Sequence, residues 1–194
     1  MVKGNIIERI TELTGFTDSE ITLIIEKFET KHFRKKEILL KAGDIARELY
    51  FVVDGCLRIF YQKNGNDVSV FFFTENMFAG AYDSFISCQP GRLSIEALED
   101  SELLAITYSG MQELYNEFPR ANELIRKILE ERFINLHNLF TSQIMDSPEE
   151  RYLNMLKNNP GLLNRIPQHY IATFLGVTSV SLSRIRNRTA KKQP

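Results

Sequence analysis

The chain has 194 residues, 43% hydrophobic and 25% charged, the balance of one large or two small globular domains with a real core. No apolar run approaches the ~20 residues that span a bilayer. The opening Met1-Val2-Lys3-Gly4-Asn5 leads into no apolar stretch of a secretory signal, so a cytoplasmic protein without a membrane partner is expected. Two cysteines, Cys56 and Cys88, exclude a disulfide scaffold and a four-thiolate zinc or iron–sulfur site; buried, unpaired thiols are expected rather than a redox pair. The net charge of −1 hides an asymmetry. From Pro160 onward there are six basic residues and no acid, whereas residues 1–159 hold the other 18 basic and all 25 acidic residues. An acidic body with a basic C-terminal module points to a polyanionic partner, the plain alternative being a solvated basic tail.

Residues 5–14 and 18–29 read as two short helices. Ile6, Ile7, Ile10 and Leu13 share one face of the first, Ile21, Ile24, Ile25 and Phe28 one face of the second, and Asp18 or Ser19 serves as cap. From residue 31 to 108 the pattern turns to about eight short strands, as in a sandwich or roll. Asp54-Gly55 between Leu49–Val53 and Cys56–Tyr61 predicts a hairpin, and Gly65-Asn66-Asp67 a second one. Runs at 93–98 and 101–107 complete the set. The aromatics Phe60, Phe71, Phe73 and Phe78 are expected in the core rather than in a cofactor box.

From Phe118 to Met145 the period is helical, and Ile125, Ile128, Leu129, Phe133, Leu136, Leu139, Phe140 and Ile144 trace one stripe. A helix so long is either buried along its domain or paired with a copy of itself; self-pairing is the reading adopted, because the stripe outruns the β-rich body. Ser147, Pro148 and Glu150 make an N-cap, a first-position proline and a capping box, and the helix they open stops at Asn159-Pro160-Gly161. A boundary therefore falls near residue 146.

The stretch Ile166–Arg186 carries the most specific pattern. Pro167 opens a helix with Ile171 and Leu175 inward, Ala172 is small where two helices cross, and Gly176 makes the turn. Thr178 caps the next helix, and Val177, Leu182 and Ile185 seal the interface. That spacing is what a helix-turn-helix requires. In such a motif Ser179, Val180, Ser183 and Arg184 face base edges of duplex DNA, with Arg184 suited to the two acceptors of guanine. Arg186, Arg188, Lys191 and Lys192 are expected to neutralise phosphates.

With these residues in view, the chain resembles the cyclic-AMP receptor protein (CRP/FNR type) family of bacterial transcription regulators over essentially its full length. The run Gly43-Asp44-Ile45-Ala46-Arg47-Glu48-Leu49-Tyr50-Phe51-Val52-Val53-Asp54-Gly55 is similar to that of its cyclic-nucleotide-binding β-roll, residues 118–145 to its dimerisation helix, and 166–188 to its helix-turn-helix. The resemblance implies an α+β chain. Its parts are a cyclic-nucleotide-binding-like β-roll of jelly-roll type with flanking helices (1–117), a long dimerisation helix (118–145), and a helix-turn-helix domain of winged-helix type (146–194). The wing is reduced or absent, since only a few residues follow the recognition helix. It further implies a homodimer through 121–145, double-stranded DNA and RNA polymerase as partners, and a small-molecule effector.

The family's pocket uses a Gly-Glu pair for the ribose and an Arg followed by Ser or Thr for the cyclic phosphate. Here Gly80 remains, Ala81 stands in place of the carboxylate, and Asp83 comes two residues late. Arg92 falls one place after the phosphate arginine, and a one-residue shift in an extended strand turns a side chain to the other face. A loop bulge that restores the register is the alternative. Usual cyclic AMP binding is not expected. The expected ligand set is Phe71, Phe73, Gly80, Ala81, Tyr82, Asp83, Arg92 and Ser94 around an unknown, less charged effector, or no ligand at all.

Enzyme readings find no support. His32, His137 and His169 share no ligand spacing, and there is no phosphate-binding glycine loop and no nucleophile elbow. A cupin-like enzyme lacks its clustered histidines, so no metal site is expected. The reading is a homodimeric DNA-binding transcription regulator, and the competing one is a ligand-binding or adaptor module without sequence-specific DNA recognition.

Overall fold

A computed structural model describes the backbone of residues 2–190, with side chains from residue 6 to 189. The chain divides into two compact units, the first comprising residues up to Ile59 with Phe72–Phe133, the second Phe60–Phe71 with the segment from Ile134.

In the first unit α1 (Val2–Thr14) and α2 (Asp18–Ile25) bury Ile6, Ile10, Ile21, Ile24 and Ile25. The cap of α2 is Thr17, not Asp18 or Ser19. Its hydroxyl accepts from the Glu20 N–H while the Glu20 carboxylate accepts from the Thr17 N–H, a complete capping box. The helix also stops at Ile25, short of the expected residue 29, as the chain enters the strands.

Eight strands follow: β1 (Glu29–Phe33), β2 (Ile38–Leu40), β3 (Glu48–Asp54), β4 (Leu57–Lys63), β5 (Asn66–Phe73), β6 (Phe78–Ala79), β7 (Ser94–Ala97) and β8 (Ser101–Thr107). They form two four-stranded sheets, ordered β1-β8-β3-β6 and β2-β7-β4-β5, a two-sheet roll of the jelly-roll type that the sequence predicts. In the first sheet β8 pairs antiparallel with both neighbours, Leu104 facing Thr30 on one side and Phe51 on the other. Phe51, Leu57, Phe73, Phe85, Ile95 and Leu103 are wholly buried in the core.

Asp54-Gly55 is not a hairpin. β3 and β4 lie in different sheets, so this turn carries the chain across the roll. Gly55 has φ +113°, and a Cβ there would sit 2.2 Å from Ser101 Oγ, so both the conformation and the close approach require glycine. The true hairpin joins β4 to β5 through Asn64 and Gly65, both at positive φ.

Two helices escaped the sequence pattern. α3 (Tyr82–Ser87) is only six residues long, and α4 (Tyr108–Glu117) buries only Met111 and Leu114 and is capped by Thr107, so neither shows a sustained period. The long helix, α5 (Ala121–Met145), starts after a turn at Pro119-Arg120 rather than at Phe118.

The second unit holds α6 (Pro148–Asn158), the single turn α7 (Leu162–Arg165), α8 (Gln168–Phe174) and α9 (Ser179–Ala190). Ser147 and Glu150 form the predicted capping box, with Pro148 in the first turn. Residues 191–194, past α9, lie outside the described residues; among the described residues no helix is long and apolar enough to cross a membrane.

Candidate nucleic-acid interface and candidate ligand cavity

α8 and α9 are two helices joined by a tight turn. Gly176 takes φ +68°; its N–H donates to the Thr173 carbonyl and the Val177 N–H to that of Ala172, a glycine C-terminus of the Schellman kind. Thr178 caps α9, its hydroxyl accepting from the Ser181 N–H at 3.2 Å. Ile171, Ala172, Leu175, Leu182 and Ile185 are buried where the helices cross. The opposite side of α9 is left to solvent. Ser179, Val180 (62% exposed), Ser183 and Arg184 are all exposed there, one turn apart along the N-terminal half. Arg186 is half-buried, and Arg188 is exposed with Nη2 3.3 Å from the Glu149 carboxylate. Lys191 and Lys192 lie outside the described residues.

Along α5 the apolar stripe changes character. Leu124 is buried and Ile125, Ile128 and Leu129 are half-buried, whereas Phe133 (73% exposed), Leu136, Phe140 (67% exposed) and Ile144 are open. Bare aromatics at spacings of three and four mark a face that lacks a covering partner in the single chain.

Inside the β-roll a cavity of about 480 Å³ is bounded by Leu39, Leu40, Tyr50, Ala81, Pro90 and Ile95, with Asp44, Arg47 and Glu48 as its charged groups. Glu48 is engaged already, with Lys31 Nζ at 2.5 Å and the Tyr50 hydroxyl donating to it at 3.1 Å. Burial first, and then the Glu48 charge, push the Tyr50 hydroxyl well above the ordinary phenol range, so it stays a donor.

The loop ahead of β7 is pinned. Gly43 and Gly91 exchange backbone bonds across to it, Gly43 N–H to the Gly91 carbonyl and Gly91 N–H to that of Asp44. Ser84 accepts from the Ala46 N–H and donates to the Gln89 carbonyl. Leu93 and Ser94 are therefore buried, the Ser94 hydroxyl accepting from the Ala42 N–H, and Arg92 is exposed and does not line the cavity.

Of the expected ligand set only Ala81 lines this cavity. Asp83 is exposed in the first turn of α3, and Tyr82 is half-buried and stacked on Phe85. Gly80 lies close against Leu49, where a Cβ would meet Leu49 Cδ2 at 2.5 Å. Phe71 is half-buried; Phe73 is in the core, its ring covered at 4.8 Å by the guanidinium of Arg132 from α5, whose pKa desolvation lowers.

Sequence reasoning passed over an interior ion pair. Arg58, 1% exposed, donates from Nε to Glu96 Oε2 at 2.7 Å. The available signal was a charge in each of two apolar strand runs, Leu57-Arg-Ile-Phe60 and Ser94-Ile-Glu-Ala97. The run from Gly43 marks the β-roll in the sequence, but the expected ligand set holds no residue of the 39–48 segment that walls the cavity. One cysteine expectation is corrected: Cys56 is buried, but Cys88 is exposed, because it ends α3 in the left-handed conformation at the surface. Among the described residues no group of three or more His, Cys, Asp or Glu is placed to hold a metal.

Residues 30–118 match the family model of the cyclic nucleotide-binding domain. A cyclic AMP receptor protein of Thermus thermophilus is 22% identical over 183 residues, covering 92% of this chain and 84% of that protein. Residues 30–118 thus form a domain of the cyclic nucleotide-binding family, and over most of its length the chain is similar to a cyclic AMP receptor protein. Solved structures carry the same fold across most of their length. The c-di-GMP responsive global regulator CLP of Xanthomonas campestris has a TM-score of 0.73 at 16% identity, covering 91% of this chain and 93% of its own. FixK2 of Bradyrhizobium japonicum has a TM-score of 0.71 at 16% identity, covering 85% of each chain.

Proposed function

We propose that the chain is a homodimeric transcription regulator that binds duplex DNA through α8 and α9 as a helix-turn-helix, with α9 as recognition helix. The observation that carries the reading is the two-sided character of α9. Leu182 and Ile185 are buried against α8, while Ser179, Val180, Ser183 and Arg184 stand exposed on a helix without an acidic residue. Polar groups reach base edges from there, and Arg184 supplies the fork that guanine accepts. The half-open stripe of α5 supports pairing with a second copy through 121–145. Two such helices on a two-fold axis read half-sites about one DNA turn apart, ~34 Å.

The β-roll acts as the sensory part. The named responses of its relatives, to cyclic AMP and to c-di-GMP, support a small-molecule effector, but not cyclic AMP held in the usual manner. Ala81 offers no carboxylate to a ribose, Arg92 is exposed, and the interior Arg58 is paired with Glu96. Arg47, the guanidinium at the cavity wall, is itself exposed beside Asp44 and Glu48, so a phosphate held in the interior away from it would be left badly desolvated. The cavity suits a less charged ligand against Leu39, Leu40 and Ile95.

Selection of bound fragments from random duplex DNA tests the reading. A recovered two-fold symmetric sequence supports it. Binding that rises alike for every sequence as salt falls, with no preferred site, overturns it in favour of an adaptor module.

A further inference from the structure

We infer that Arg151, assisted by Gln143, is a positioning pair that sets the direction of the recognition helix relative to α5 and thereby the half-site spacing that the dimer accepts. The inference rests on the DNA-binding reading above. Arg151 stands on α6, yet its guanidinium bonds elsewhere. Nη1 donates to the Asp146 carbonyl just past the end of α5 at 2.7 Å, and reaches the Gln143 carbonyl at 3.5 Å. Nη2 donates at 2.7 Å to the carbonyl of Leu175, the C-terminal cap of α8. Gln143, on α5, sends its side-chain amide to the neighbouring Phe174 carbonyl at 3.2 Å.

All these acceptors lie at or next to helix C-termini, where carbonyls lack intrahelical donors and the helix dipole places negative charge. One planar cation thus ties the ends of α5 and α8 together through two separate nitrogens, a geometry that an ammonium, as a point charge, cannot reproduce. The ring of contacts closes on the turn itself, since a Cβ on Gly176 would stand 3.7 Å from Arg151 Nη2. On the side of α8 facing the β4–β5 hairpin, the Thr173 hydroxyl accepts from the Ser69 N–H.

The consequence is one of leverage. α9 has 12 residues and is about 18 Å long. Arg184 lies about 9 Å along the helix from Thr178, so a tilt of ~10° at the turn moves it by ~1.5 Å; in a two-fold dimer both copies move, and the reading groups part by ~3 Å, close to the ~3.4 Å rise of one base pair. Small errors in the α5–α8 angle are therefore read as errors in spacing.

The test measures binding of the full chain to duplexes carrying the selected half-sites, moved apart or together by one and two base pairs. Single-base changes within one half-site are measured in parallel. The wild type should lose about tenfold or more per shift, the scale of a mismatched base pair. Arg151→Lys should flatten the spacing profile to within about threefold while leaving the base preferences within each half-site unchanged. Gln143→Ala, a change at an exposed position, should broaden the profile less. It decides the matter if Arg151→Lys does not fold.

A uniform loss over all spacings, or an unchanged profile in both variants, overturns the positioning role while the DNA reading stands. A wild type that selects no site overturns the DNA reading itself.

Discussion

Removing the carboxylate of Glu96 takes from Arg58 a charged partner inside the β-roll. Arg58 has 1% of its surface exposed and Glu96 6%, and they meet at 2.7 Å, so solvent cannot replace the lost partner. Breaking such a pair from one side costs about 3–5 kcal/mol. At ~2–4 °C per kcal/mol for a chain of this size, Glu96→Ala should lower the melting temperature by roughly 10 °C. The chain has no tryptophan, so unfolding is followed by circular dichroism or calorimetry rather than indole fluorescence. The double variant Arg58→Met/Glu96→Leu removes both charges together with their desolvation costs. It should recover most of the loss, because apolar residues of similar volume often replace a buried ion pair without penalty. A loss below about 1 kcal/mol for Glu96→Ala, or a double variant no more stable than the single one, would refute the reasoning.

Arg184→Ala should cost ~1–3 kcal/mol at the preferred DNA site and relax base choice at one position. Arg186→Ala should weaken all sequences alike and flatten the salt dependence, and fluorescence anisotropy over a salt series separates the two patterns. Phe133→Asp or Phe140→Asp, each placing a charge on the apolar stripe of α5, should shift sedimentation from dimer to monomer; a wild type that sediments as a monomer at micromolar concentration refutes the pairing. Calorimetric titration with cyclic AMP should show no saturable micromolar binding. Binding abolished by Arg92→Ala would mean that the usual pocket survives. Finally, the Ser147 bonds hold the Glu150 carboxyl below its ordinary range. Its stabilising effect is therefore full above the ordinary carboxylate pKa and lost as pH falls through the depressed value. Urea midpoints of wild type and Glu150→Gln should accordingly differ at pH 7 and draw together as the pH falls below the ordinary carboxylate range.

What was legible in the chain was local. Capping at Ser147-Pro148-Glu150, the glycine turn at Gly176, the Thr178 cap and the apolar positions that seal α8 on α9 each depend on residues within a few places of one another, so their chemistry is visible in the spacing. The two strand runs at 93–98 and 101–107 were legible for the same reason, as was the long stripe of α5. Tertiary structure decided the rest, because it joined residues far apart in the chain. Asp54-Gly55 carries a hairpin's residues, but the sheet to which β4 belongs is settled by β7, some 35 residues on, and the turn becomes a crossing. Arg58 and Glu96 are each an oddity in an apolar strand until the roll closes them into a pair. Arg92 is exposed because Gly43, Asp44 and Ser84 pin the loop that carries it. Arg151 looks like one more surface cation of α6 until the ends of α5 and α8 arrive beside it. Spacing reports the bonds that a segment makes with itself, whereas partners brought together by the packing of sheets and helix ends leave no periodic trace in the residues that will meet.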